Sequence, residues 1–116
     1  MSISGLNREI TAQEKHDFHR DGAVLLKGVL ASHWNALLEE GLEFTQANPD
    51  GMSAGVAMPL RIDQFPASHS PCLDQLMKKS PISEIVGSVL EAPVRFYMDQ
   101  MFYKPAGKVF PSAWHQ

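Results

Sequence analysis

The stretch Val94-Arg95-Phe96-Tyr97-Met98-Asp99-Gln100-Met101-Phe102-Tyr103-Lys104-Pro105-Ala106-Gly107 decides how the rest of the chain is read. It is rich in aromatic residues, lies between Pro93 and Pro105 and ends on an Ala-Gly turn, which together predict a strand over 94–104. Upstream of it the pattern changes from strand-like to the three-and-four spacing of helices. Ile82, Ile85, Val86, Val89 and Leu90 form one amphipathic stripe that ends before Pro93, and Leu73, Leu76 and Met77 form another. Both helices open on one device, Ser70-Pro71 and Ser80-Pro81: a serine N-cap, then proline at the first helical position, where the missing amide costs nothing. Leu60-Arg61-Ile62-Asp63-Gln64-Phe65 alternates apolar and polar residues. It predicts a short extended segment closed by Pro66, with Leu60 and Ile62 on one side and Arg61 and Asp63 on the other.

Nearer the N-terminus, Thr11 and Glu14 make a capping box that starts a short helix over 12–20, and Asp21-Gly22 ends it. Ala23 to Leu30 then reads as a buried strand that Gly28 shortens or bulges. Ser32 is the N-cap of a second helix carrying Trp34, Leu37, Leu38 and Leu42 and ending near Ala47. Asn48-Pro49-Asp50-Gly51 opens a long loop that reaches Pro59. The fold class is therefore α+β, and 116 residues, 44% hydrophobic and 20% charged, suit one domain over 1–116.

A net charge of -3 without a Lys/Arg cluster argues against nucleic acid as a partner. The chain has no apolar run of about 18 residues and no signal-peptide pattern, so no membrane association is expected. The single cysteine, Cys72, forms no internal disulfide, which makes a reducing compartment, the cytoplasm, the default. Its place near a helix start can lower a thiol pKa, although Ser70-Pro71 already explains the local sequence. His16 and His19, three apart among Lys15, Asp17, Arg20 and Asp21, read as a solvated helix face, and His33 and His69 as surface residues.

His115, between Trp114 and Gln116, has a different context. The block from Phe96 to Gly107, followed after a spacer by Trp114-His115-Gln116, closely resembles the phytanoyl-CoA dioxygenase family of Fe(II)- and 2-oxoglutarate-dependent oxygenases. The segment from Phe18 to Leu30 resembles that family's N-terminal helix-to-strand signature. Arg61-Ile62-Asp63-Gln64-Phe65 falls where the family carries a cofactor-side cation. The resemblance runs from Phe18 to Gln116 in the family's order.

It implies the N-terminal helices and first strands of a double-stranded β-helix, a jelly roll, truncated here so that 1–116 is the N-terminal part of one larger domain. His115 takes the first place of the family's His-X-Asp iron motif, Gln116 the second, and the aspartate would follow. Residues two apart in a strand project to one side, so such a pair offers one ion an imidazole and a carboxylate. A later histidine completes a facial triad that leaves positions open for 2-oxoglutarate and dioxygen. A single imidazole holds iron weakly at best.

The resemblance also places Gln100 facing 2-oxoglutarate, where its amide can donate to a carboxylate, although a polar residue in a mixed strand is an equal account. Arg61 takes the place of a family lysine near cofactor or substrate, against the alternative of pairing with Asp63 or Asp74. Lys104 belongs to the motif, against the alternative of a solvated strand end. Phe102 and Trp114 suit either a pocket wall or core packing, and Tyr97 and Asp99 belong to the motif with no role assigned. The implied reaction hydroxylates a small organic substrate and releases succinate and carbon dioxide. A non-catalytic binding module and an inactive truncated paralogue are the competing readings.

Overall fold

Thr11 starts the first helix through two reciprocal bonds: its Oγ1 accepts from the Glu14 amide at 3.1 Å, and the Glu14 carboxylate accepts from the Thr11 amide at 2.9 Å. In the computed structural model, which describes residues 5–48, 61–104 and 106–107, this helix, α1, spans Ala12–Asp21. Gly22 closes it at φ 77°, its amide donating to the Phe18 carbonyl. Only a residue without a Cβ takes that conformation freely.

Arg8 extends the capping box into a clasp. Its guanidinium donates to both Glu14 oxygens, at 2.9 and 2.6 Å, and to the Lys27 carbonyl, at 3.0 and 2.6 Å. One side chain thereby joins the N-terminal segment, the start of α1 and the turn at Lys27-Gly28. Hydrogen bonding from Arg8, helped by the Thr11 amide, holds the Glu14 carboxyl down at about 2.

The strand expected over 23–30 does not form. Residues 23–26 have no regular structure, and Lys27 and Gly28 make a turn. Pairing occurs only at the end, where Leu30 bridges Leu6 and the Asn7 and Ala31 amides donate to the Val29 and Gly5 carbonyls, each at 2.8 Å. The composition suits a strand, but a strand needs a neighbour to satisfy its backbone. Among the described residues none runs beside 23–28, and the Lys27 carbonyl turns to Arg8 instead.

The bridge also fixes where the second helix begins. Ala31, tied to Gly5, accepts the first helical bond from the Trp34 amide at 3.0 Å, so α2 spans Ser32–Ala47 with Ala31, not Ser32, at the cap. Its buried residues are Trp34, Gly41 and Thr45, whereas Leu38 is exposed. The inward face is thus rotated from the expected one toward the small residues. Gly41 has a packing reason: a Cβ there would lie 2.5 Å from Leu73 Cδ2 and 2.6 Å from its Cγ. The absence of a side chain lets the next helix approach closely.

After strand β1, Arg61–Gln64, and a 3-10 turn over Pro66–Ser68, helix α3 spans Pro71–Lys79. As expected, Ser70 caps it, its hydroxyl accepting from the Leu73 amide. Helix α4 spans Ile82–Leu90, one residue later than the Ser80-Pro81 device predicts. The Ser80 amide closes α3 on the Leu76 carbonyl, and Pro81 takes the cap position of α4, its carbonyl accepting from the Ile85 amide. Trp34, Leu73 and Leu76 form the centre of the core, with Leu37, Met77 and Ile82 packed around them.

Strand β2 covers Gln100–Tyr103 alone. Residues 94–99 of the expected strand lack regular structure, and Tyr97 is 90% exposed. Their alternation has no neighbouring strand to pair with among the described residues. The observed class is α+β: four α-helices and a two-stranded antiparallel sheet among the described residues. Among the described residues no helix is long and apolar enough to cross a membrane.

Because the folded Glu14 carboxyl sits at about 2 against an ordinary 4.5, its contribution to stability is present above the ordinary value and lost as the pH falls through the lower one. Glu14→Gln is therefore expected to melt earlier than the natural protein near neutral pH. The gap should close as the pH approaches about 2 when followed by circular dichroism. A gap independent of pH contradicts the clasp.

Candidate functional site

The β1–β2 ribbon carries two of the residues that the sequence marks for chemistry, Arg61 and Gln100. Its register pairs Arg61 with Tyr103, Ile62 with Phe102, Asp63 with Met101 and Gln64 with Gln100. Just beyond, the Phe65 amide donates to the Asp99 carbonyl at 3.0 Å. That makes 65/99 a hydrogen-bonded pair, and since the two pair types alternate, Gln64/Gln100 and Ile62/Phe102 are non-hydrogen-bonded pairs, in which facing side chains stand closest.

The ribbon has two unlike faces. Asp63, at 0% exposure, and Met101, at 6%, lie on the inner one, where Met101 Sδ is 3.0 Å from the Thr45 hydroxyl of α2. Ile62, Gln64, Gln100 and Phe102 share the outer one, and Phe102 is 56% exposed. Asp63, not Ile62, shares the buried side of the ribbon with Met101.

Gln100 is exposed, as is Gln64 in part, and neither carboxamide forms a hydrogen bond with a described residue. Lys104 directly follows the end of β2 and is exposed. The register position of Arg61 falls on the opposite face, with Asp63 and Met101. The ribbon thus sets Gln100 beside Phe102 on one face, and Lys104 lies just past its end. His115, Trp114 and the long loop after Asn48 lie outside the described residues.

Asp99, a motif residue with no role assigned from sequence, has a structural one. Phe65 adopts φ 55°, a left-handed conformation that an aromatic residue seldom takes and that is unusual before proline. Asp99 holds this corner twice: its carbonyl accepts from Phe65, and its Oδ2 accepts from the Ala67 amide at 2.7 Å. The corner fixes the end of the ribbon next to Gln64 and Gln100. The only sequence signal for it was the Phe65-Pro66 step.

The other candidates stand apart. His16 and His19 are exposed, His19 Nε2 lies 3.8 Å from a Glu91 oxygen, and the His33 ring stacks obliquely on Trp34 at 4.6 Å. Among the described residues no group of three or more His, Cys, Asp or Glu side chains is placed to hold a metal ion. Burial pushes the Cys72 thiol up, and the Glu40 carboxylate adds to the shift, the reverse of activation. An apolar groove of about 350 Å³ lies between α1, residues 23–26 and α4, lined by Phe18, Val24, Leu26, Ile85, Val89 and Leu90. The α4 stripe was legible in sequence, but the groove depends on 23–26 lying beside it.

Comparison with protein-family models, curated proteins and solved structures finds no match to this chain.

Replacing Asp99 by alanine removes the acceptor of the Ala67 amide and should lower the unfolding free energy by about 1–3 kcal/mol. Asp99→Asn, which keeps an acceptor oxygen, should cost less. Urea denaturation measures both, and an unchanged midpoint for Asp99→Ala contradicts the corner's dependence on this carboxylate.

Proposed function

We propose that this chain supplies the first iron ligand and part of the 2-oxoglutarate pocket of an Fe(II)-dependent dioxygenase of the phytanoyl-CoA dioxygenase type, acting on a small organic substrate. The observation that carries the reading is the outer face of the ribbon. The segment that resembles the family's motif forms β2, and it presents Gln100 outward without a protein partner among the described residues, beside Phe102 and with Lys104 just past the strand's end. A neutral amide donor, an apolar shelf and a cation further along the chain suit a short dicarboxylate.

Within this reading, Gln100 orients a carboxylate by donation from its amide, Phe102 shields the methylene chain from water, and the Lys104 charge favours entry of an anion. His115 contributes a neutral imidazole to the metal. Iron and 2-oxoglutarate, when bound, supply dioxygen activation, with release of succinate and carbon dioxide. The helices and the ribbon then belong to the opening part of a double-stranded β-helix. A binding module is the second reading, favoured by the apolar groove on α4, where Val86 and Leu90 are 40% and 42% exposed.

The test uses the protein carried to the end of its open reading frame. Succinate formation that requires Fe(II), 2-oxoglutarate and dioxygen is expected, with an aspartate codon directly after that of Gln116. His115→Ala is expected to abolish turnover with the circular dichroism spectrum unchanged. No 2-oxoglutarate turnover by the natural protein, or a stop codon after Gln116, overturns the reading.

A further inference from the structure

We infer that Gln64 is a second carboxamide of the 2-oxoglutarate cradle, acting with Gln100 on the same carboxylate; the inference rests on the function proposed above. Gln64 lies within the Arg61–Phe65 segment of the resemblance, but no role was assigned to it there. It is singled out by register, because β1 sets it directly opposite Gln100 in a non-hydrogen-bonded pair. Cβ atoms in such pairs stand roughly 4.5–5.5 Å apart, so two amides of this length reach a common point above the sheet. Each side chain carries two N–H donors, and together they offer one N–H to each oxygen of a carboxylate.

Three observations favour this over two solvated glutamines. Gln64 is half-buried, which narrows the directions its amide can take, yet it makes no hydrogen bond with a described residue. The neighbouring pair on the same face is Ile62/Phe102, an apolar step suited to methylene groups next to the carboxylate. The one nearby carboxylate on β1, that of Asp63, is fully buried on the other face, so it does not meet the anion. Asp99 is committed to Ala67 and Phe65 at the corner and keeps this pair in register.

The experiment measures 2-oxoglutarate binding, not turnover, by calorimetric titration of the protein carried to the end of its reading frame, with Fe(II) under anaerobic conditions. Gln64→Leu is expected to weaken binding by about 10-fold or more, the loss of a hydrogen bond to a charged group. Gln64→Glu keeps the size and shape but places a negative charge against the anion, and is expected to lose more than Gln64→Leu. A merely structural glutamine would show the opposite order, the near-isosteric glutamate being the milder change. Thermal melts of both variants confirm that they remain folded. If Gln100→Leu weakens binding while both Gln64 variants bind as the natural protein does, the inference is overturned and the proposed function stands. If the natural protein itself does not bind 2-oxoglutarate, the proposed function falls, and this inference with it.

Discussion

The antiparallel pairing of 61–64 with 100–103 is the constraint on which the remaining features depend. It joins two segments separated by α3 and α4, and it assigns every side chain of the ribbon to one of two chemically different faces. Asp63 and Met101 go inward, Met101 against Thr45, while Gln64, Gln100 and Phe102 go outward. Because side chains alternate with a period of two, a slip of one residue would bring Asp63 to the outer surface and bury a glutamine. The corner at Phe65, held by Asp99, resists that slip.

Several local signals were legible where one residue's own chemistry determines the outcome, although Ser32 and Ser80 do not cap α2 and α4. The Thr11/Glu14 box starts α1, Ser70 caps α3, and Gly22 ends α1 as its conformational freedom requires. The misjudged elements depend on partners distant in sequence. Residues 23–28 and 94–99 have strand composition but no strand beside them in the described structure, and the start of α2 is set by a bridge to Gly5 and Leu6 that no local pattern announces. The α2 face turned inward because Gly41 admits Leu73, a packing relation invisible in a list of apolar positions.

The candidate site divides in the same way. Gln100 and Lys104 were identified by motif, but β2 ends at Tyr103, so its alternation assigns a face to Gln100 and not to Lys104. That Arg61 occupies the other face follows from the pairing, since Arg61 and Gln64 are three apart on β1 and Gln64 is the partner of Gln100. The inward place of Asp63 and the outward place of Gln64 follow likewise. The role of Asp99 needed the corner's geometry, because a carboxylate that accepts from a backbone amide has no sequence signature distinct from one that binds a ligand.

The most direct measurement of this pairing is a cross-link. In a Cys72→Ser background, Gln64→Cys combined with Gln100→Cys places two thiols in a non-hydrogen-bonded pair, whose spacing approaches the 3.5–4.5 Å between Cβ atoms that a disulfide requires. Mild oxidation followed by peptide mass spectrometry is expected to show positions 64 and 100 joined within one chain. Failure of this pair to oxidise, with efficient cross-linking of Gln64→Cys to Met101→Cys instead, would show a ribbon in another register and contradict the account.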